Sequence, residues 1–225
     1  MPNSLQNAAI VILGGSSGIG LATAKAAIGE GAVVTITGRS PERLDVARAE
    51  LDDGANAVLL DAADEAGTRT FLESMPKLDH LFITAGALVA DTHLEAPSAE
   101  LRVALNTRFW GAFYAAKYAA PKMSDGSSIT FMSGTAGRRP LPGAAVASAS
   151  CGAVDTFARA LAMDLAPIRV NTITPGYIDT PLFDDLLGDQ REVTLTDVAA
   201  SLPMKRIGHP DEVAHAIMFL MQNGY

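Results

Sequence analysis

Short apolar runs alternate with longer amphipathic stretches along the chain. Residues 8–13 (AAIVIL), 32–37 (AVVTIT), 56–60 (NAVLL), 78–84 (LDHLFIT), 127–133 (SSITFMS) and 168–174 (IRVNTIT) are compact and rich in β-branched side chains. That is the pattern of strands buried on both faces. Among them, residues 18–29, 41–53, 64–75, 99–120 and 145–166 carry helical patterns. Strict alternation of the two predicts a parallel sheet with helices on both faces, joined by right-handed crossovers. The expectation is a doubly wound α/β fold in one domain, residues 1–225. Residues 177–208 break the alternation. An insertion after a late strand reads either as a lid over a substrate site or as a surface loop with a short helix.

Composition narrows the function. Apolar residues make up 48% of the 225, which suits one packed core. With 17 Lys and Arg against 25 Asp and Glu, the net charge is −8. Nucleic acid and anionic membranes, which need clustered basic residues, are therefore not expected as partners. The single cysteine, Cys151, excludes an internal disulfide and fits a reducing compartment. The opening MPNSLQNAAIVIL has no basic region ahead of its apolar run, and no stretch approaches the roughly 18 apolar residues of a membrane span. A cytoplasmic protein is expected. The four histidines are scattered, so no metal site is expected.

The first strand runs into GGSSGIG: Gly14, Gly15, Ser16, Ser17, Gly18, Ile19 and Gly20. Glycines at such a strand-to-helix turn let backbone approach a pyrophosphate, and the helix N-terminus favours its charge. Alone this loop is a weak signal; between a buried strand and an amphipathic helix it points to a Rossmann-type dinucleotide site. The second strand ends at Gly38, where an acidic residue would select NAD through the ribose hydroxyl. Arg39 and Ser40 follow instead, and a guanidinium suits a 2′-phosphate. NADP(H) is therefore expected over NAD(H). Asp61, ending the third strand, reads either as a partner of the adenine amine or as a helix cap in DAADEA.

These residues, in this order, resemble the short-chain dehydrogenase/reductase family over about residues 8–224. Leu13-Gly14 with Gly18-Ile19-Gly20 resembles the family's Thr-Gly-x-x-x-Gly-Ile-Gly loop, with Leu13 in place of threonine. Thr84-Ala85-Gly86 is similar to its Asn-Ala-Gly, with Thr84 in place of asparagine. The resemblance implies that Ala85 and Gly86 border the cofactor and that Asn106 falls on the catalytic asparagine. It also implies that Pro175 and Gly176 form a wall beside the nicotinamide, with Ile178 and Thr180 near its carboxamide. A homodimer or homotetramer through helices 99–120 and 145–166 is implied as well, with Phe109, Phe113, Phe157 and Leu161 suited to the contact. The family continues past FLMQNGY with a further strand; this sequence stops at Tyr225.

The catalytic trio does not carry over. Where the family has serine, tyrosine and lysine, the register places Gly134, Ala147 and Cys151, so only Asn106 of the four survives. A Tyr-x-x-x-Lys match at Tyr118 to Lys122 precedes the fifth strand and is interrupted by Pro121, so it reads as a helix-end surface pair. Ser133 is one residue out of register, and Cys151 lies one helical turn beyond Ala147. Tyr177, His93, Arg138 and Arg139 are further candidates near the site; His80 and His215 read as packing. Weak proton-donor candidates are thus Ser133, Cys151 and Tyr177, each with a packing reading beside it. Three functions stay open. One is an NADP(H)-dependent oxidoreductase acting on a carbonyl or alcohol with a proton donor foreign to the family. Another is a catalytically silent dinucleotide-binding sensor, regulator or accessory subunit, in which the small molecule is an effector and not a substrate. A lytic enzyme without cofactor is the least expected, because the glycine loop is open.

Overall fold

The structure, a computed structural model, describes residues 4–86, 96–140 and 142–225. Six strands form one parallel sheet: β1 (Ala9–Leu13), β2 (Val33–Gly38), β3 (Ala55–Leu59), β4 (His80–Ile83), β5 (Ser128–Met132) and β6 (Arg169–Ile173). Their order is β3-β2-β1-β4-β5-β6, so the direction of winding reverses between β1 and β4. Side chains alternate across the sheet as the pleat requires. Ile10 and Ile12 of β1 enter one core with Ile36, Phe82, Ile217 and Met221. Val11 and Leu13 enter the other with Leu81, Ile83, Ile129, Phe131 and Val154.

Helices α1 (Gly18–Gly29), α2 (Pro41–Glu50) and α3 (Glu65–Ser74) follow the first three strands. Helices α1 and α2 cover the first core, with Ala24, Ala27, Leu44 and Ala47 turned inward; α3 covers the second through Leu72. The predicted helix over 99–120 is instead a composite: α4 (Ser98–Leu105), a π turn (Asn106–Trp110) and α5 (Gly111–Ala119). In the π turn Gly111 N–H reaches back to the Asn106 carbonyl, so one extra residue is fitted into the coil. The helix predicted over 145–166 is α6 (Ala145–Asp164). The segment 177–208 is more ordered than its sequence suggests: it holds α7 (Leu182–Leu187) and α8 (Arg191–Ser201). Helix α9 (Pro210–Gln222) closes the first core against α1 through Val213, Ile217, Met218 and Met221. No helix among the described residues is long and apolar enough to cross a membrane.

The amino ends of β4, β5 and β6 carry a polar row, buried at His80 and Ser128 and half-buried at Arg169. His80, Ser128 and Arg169 are neighbours across β4, β5 and β6. Imidazole Nδ1 of His80 lies 2.8 Å from the Ser128 hydroxyl. Arg169 donates to the Leu220 and Met221 carbonyls at 2.5 and 3.0 Å, tying the end of α9 to the sheet. Burial first, and the Arg169 charge second, hold the His80 pKa at about 4, against 6.5 for a free imidazole. The unfolded chain therefore takes up a proton that the folded chain refuses between these values. Stability from this source is complete above pH about 6.5 and falls by up to roughly 3 kcal/mol as pH drops towards 4. Urea unfolding measured across that window should show this loss, and His80→Gln should flatten the slope. An unchanged slope in the variant would refute the assignment.

Candidate active site

The site is built at the carboxyl ends of β1 and β4, where the winding reverses and a crevice opens. Gly14 leaves β1 with φ +91, in the left-handed region, and a Cβ there would stand 2.8 Å from the Ala85 nitrogen. Ala85 and Thr84 both donate to the Leu13 carbonyl at 2.9 Å, which locks the end of β4 to the end of β1. A Cβ on Gly20 would lie 2.2 Å from the Gly14 carbonyl oxygen. Three backbone segments thus meet with no room for a side chain. Ser17 is the N-cap of α1 in extended conformation, but no side chain caps the helix and no acidic residue stands in its first turn. The first amides of α1 are free to receive an anion, and the dipole favours one. The cradle fits the pyrophosphate of a dinucleotide.

Ser16 and Ile19 flank this turn. Ser16 Oγ lies 2.7 Å from where a Cβ on Gly38 would be, so the glycine at the end of β2 makes space for it. Arg39 is exposed. Ser40 is committed locally: its hydroxyl accepts from Arg43 N–H at 3.1 Å and donates to Glu42 at 2.7 Å, capping α2. Asp61 is not a helix cap. It accepts from Ala63 N–H at 2.9 Å, Asp64 caps α3, and Asp61 shares a cleft with Arg39 and Leu60.

Opposite the glycine turn, Thr180 is buried with its methyl 3.0 Å from where a Cβ on Gly18 would be; Gly18 has φ +52. Pro175 accepts from Thr135 N–H at 3.2 Å, and Gly176 is exposed. Ile178 turns away from the crevice into the first core, against Gly208. Tyr177 stacks on Phe183 of α7 at 5.8 Å, its carbonyl accepts from Gly208 N–H at 2.8 Å, and its hydroxyl makes no hydrogen bond with a described residue.

The four positions matched to the catalytic residues lie on the π turn, at the end of β5 and on α6, and the π turn packs against α6. Asn106 begins the π turn and is exposed. Gly134 and Cys151 come together across the end of β5 and α6, and Ala147 lies one turn before Cys151 on that helix. A Cβ on Gly134 would lie 3.3 Å from Cys151 Sγ. Cys151 is buried, and Ala147 is half-buried. The Ser133 hydroxyl points away, donating to the Cys151 carbonyl at 3.2 Å from a buried position. Arg138 lies 3.7 Å from buried Asp155, one turn beyond Cys151 on α6, and Arg139 is exposed. His93 lies outside the described residues. Tyr118 and Lys117 both bond Glu65 on α3, at 2.7 and 3.0 Å, so the Tyr118–Lys122 match is a surface feature.

One residue of the site went unnoticed in the sequence. Arg108, in the π turn, is buried against Gly86, with Cζ 3.2 Å from where a Cβ would stand. The signal was present: Ala104, Arg108 and Ala112 recur at the spacing of one helix face, and all three are buried.

A parallel sheet reversing at a glycine cradle defines an α/β protein of the dinucleotide-binding Rossmann type. A family model described as enoyl-(acyl carrier protein) reductase matches residues 14–224. The chain is 31% identical to the short-chain dehydrogenase/reductase malC of Malbranchea aurantiaca, covering 95% of this chain and 88% of that protein. It is 33% identical to an NADP-dependent (R)-specific alcohol dehydrogenase of Lentilactobacillus kefiri, covering 98% and 91%. The solved structure of the MalC reductase/Diels-Alderase superimposes with TM-score 0.91 at 29% identity, covering 99% and 93%. A small-chain dehydrogenase in complex with NADPH superimposes with TM-score 0.84 at 30% identity, covering 98% and 93%. The chain belongs to the short-chain dehydrogenase/reductase family, and its class is that of the oxidoreductases.

The close approach at Gly20 generates a prediction. Gly20→Ala forces a methyl group into backbone and should cost roughly 1–3 kcal/mol. It should also abolish the thermal upshift that NADPH gives the wild type, read by differential scanning fluorimetry; an undiminished upshift would show that the turn does not bind the dinucleotide.

Proposed function

We propose that the protein binds NADP(H) in the glycine cradle and is an oxidoreductase acting on a carbonyl or alcohol without the family's proton-donating trio. The observation that carries this reading is the juxtaposition of Gly134 with Cys151 Sγ beside a sterically intact cradle. Gly14, Gly18 and Gly20 give the pyrophosphate its approach; Ser16, Ser17 and Ile19 border it. Ala85 and Gly86 line the opposite edge. Pro175, Gly176, Ile178 and Thr180 form the wall on the nicotinamide side, with Ile178 acting from behind as packing. Arg39, exposed past a strand end with no acid, suits the 2′-phosphate. Ser40 can add a donor there only by sharing the hydroxyl that caps α2. Asp61 suits the adenine end of the Arg39 cleft.

The bound cofactor supplies hydride; what the chain supplies is placement. No described side chain stands ready as the acid. Cys151 is packed over Gly134, Ser133 is bonded to helix α6, and Tyr177 is stacked in the lid. The proton therefore comes from water or from the substrate itself. Losing a positioned acid or base costs roughly 10²- to 10⁴-fold in rate, so turnover is slow. The same absence favours a second reading, a catalytically silent dinucleotide-binding sensor, regulator or accessory subunit, in which the small molecule is an effector. The segment 177–208 serves as the lid in both. Two copies pair through 99–120 and 145–166, where Trp110 is 43% exposed within a cluster with Phe109, Phe113 and Tyr114.

Three measurements decide among these. Rebuilding the trio with Gly134→Ser, Ala147→Tyr and Cys151→Lys should raise NADPH-dependent ketone reduction by about 10²-fold or more. A gain from zero identifies the silent binder, a gain from a slow rate the degenerate enzyme, and no gain shows that the positions are not those of the trio. Arg39→Ala should weaken NADPH binding about tenfold and leave NADH unchanged; equal effects on both would remove the 2′-phosphate role. Trp110→Glu should shift the protein to monomer in sedimentation velocity, and an unshifted dimer would place the interface elsewhere.

A further inference from the structure

Arg108 is a charge with no partner among the described residues. The residue is 8% exposed, its Nε is sealed from solvent with no hydrogen bond, and no described residue forms an ion pair with it. Arginine does not shed its proton in a protein. A buried cation left uncompensated costs several kcal/mol, so its persistence needs a reason. The position supplies one. The plane of the guanidinium lies flat over Gly86, with Cζ and Nη2 each 3.2 Å, and Nη1 3.5 Å, from the point a Cβ would occupy. Gly86 follows Ala85, whose nitrogen is the atom against which Gly14 closes the cradle. The charge is thus set at the end of β4, next to the turn where the winding reverses.

The backbone around it is arranged for this placement. The π turn carries Arg108 on the buried face while Asn106, two residues earlier, stays exposed. Thr107, also buried, spends its hydroxyl on the Val103 carbonyl at 2.9 Å and offers nothing to the guanidinium. A Cβ at 86 would press on the fork and require it to yield by a few tenths of an ångström. A planar fork with free donors binds carboxylate or phosphate in pairs of parallel hydrogen bonds.

We propose that Arg108 is the oxyanion receptor of this site: its guanidinium, held against Gly86, binds a carboxylate or phosphate group entering beside the Gly14–Ala85–Gly86 cradle. The inference rests on the cradle being a ligand site. The oxyanion has two sources, a phosphate of the dinucleotide or an acidic group on the substrate, and the experiment separates them.

Wild type, Arg108→Met and Arg108→Lys are compared by melting temperature without ligand. They are then compared for NADPH affinity by fluorescence titration, and for thermal stabilisation by inorganic phosphate and by acetoacetate with NADPH saturating. Methionine keeps much of the volume and removes the charge, so the ligand-free melting temperature should hold or rise. Affinity for at least one anion should fall about ten- to a hundredfold, with lysine intermediate because it keeps charge and loses the fork. A fall for NADPH assigns the oxyanion to the dinucleotide; a fall for acetoacetate alone assigns it to the substrate. A lower melting temperature with every affinity unchanged makes Arg108 a structural residue and overturns the proposal, as does an unchanged melting temperature with unchanged affinities. Should the methionine variant not fold, lysine decides: undiminished anion binding overturns the proposal, a fall supports it. Wild type that ignores NADPH refutes the dinucleotide reading; phosphate stabilisation that depends on Arg108 would then still uphold the receptor.

Discussion

Gly14 and Ala85 are pressed together so closely that a single methyl group between them has nowhere to go. This contact joins the ends of β1 and β4, and these are the strands between which the sheet changes its direction of winding. Helices leave the two strands on opposite faces, so a crevice opens above the joint. Everything at the site is measured from it. Gly20 seats α1 on the Gly14 carbonyl, and Gly86 makes room for Arg108. The packing also fixes what can bind: with side chains excluded, the surface presented is backbone amide, which is suited to phosphate oxygens.

The 177–208 segment is coupled to the same joint. Thr180 rests on Gly18, so the start of the 177–208 segment touches the first residue of α1. Ile178 pairs with Gly208 in an isolated bridge, which brings the two ends of that segment together. Between them Arg191 bonds both Asp179 and Asp184, the latter at 2.5 Å, and Arg206 makes a two-pronged contact with Glu212 of α9. The segment is anchored at its base, with α7 and α8 lying between the two ends of the Ile178–Gly208 bridge. Its polar ties are mostly exposed and individually weak.

The strands were legible because burial on both faces writes an unbroken apolar run, and the predicted spans match the observed ones within a residue or two. The glycine cradle was legible because its φ values and close contacts admit little else. Other features were not. The π turn at Asn106–Trp110 leaves no mark in helical periodicity, since an extra residue looks like an ordinary phase drift. Helices α7 and α8 are short and weakly patterned, and they are held by Arg191 and by the Ile178–Gly208 bridge, which are tertiary contacts. Ser133 and Cys151 were placed near the site by register, but register does not say which way a hydroxyl turns. Ser133 turns to the helix carbonyl, and Cys151 fills the hollow that Gly134 leaves.

That hollow bears on the chemistry. Gly134 and Cys151 fit one another: the thiol lies 3.3 Å from where a serine side chain would begin, so a Cβ at 134 would require the sulfur to shift by a few tenths of an ångström. On the proposed register, the three substitutions are therefore not independent losses. A serine restored alone meets the thiol, and a lysine restored alone extends from a buried position with no phenol beside it at Ala147. The reversions at 134 and 151 are thus coupled to their neighbours, whereas the cradle, built from backbone, is untouched by either. Coupling of this kind lets the nucleotide site persist with or without turnover, and it makes the three positions act as one unit in any repair.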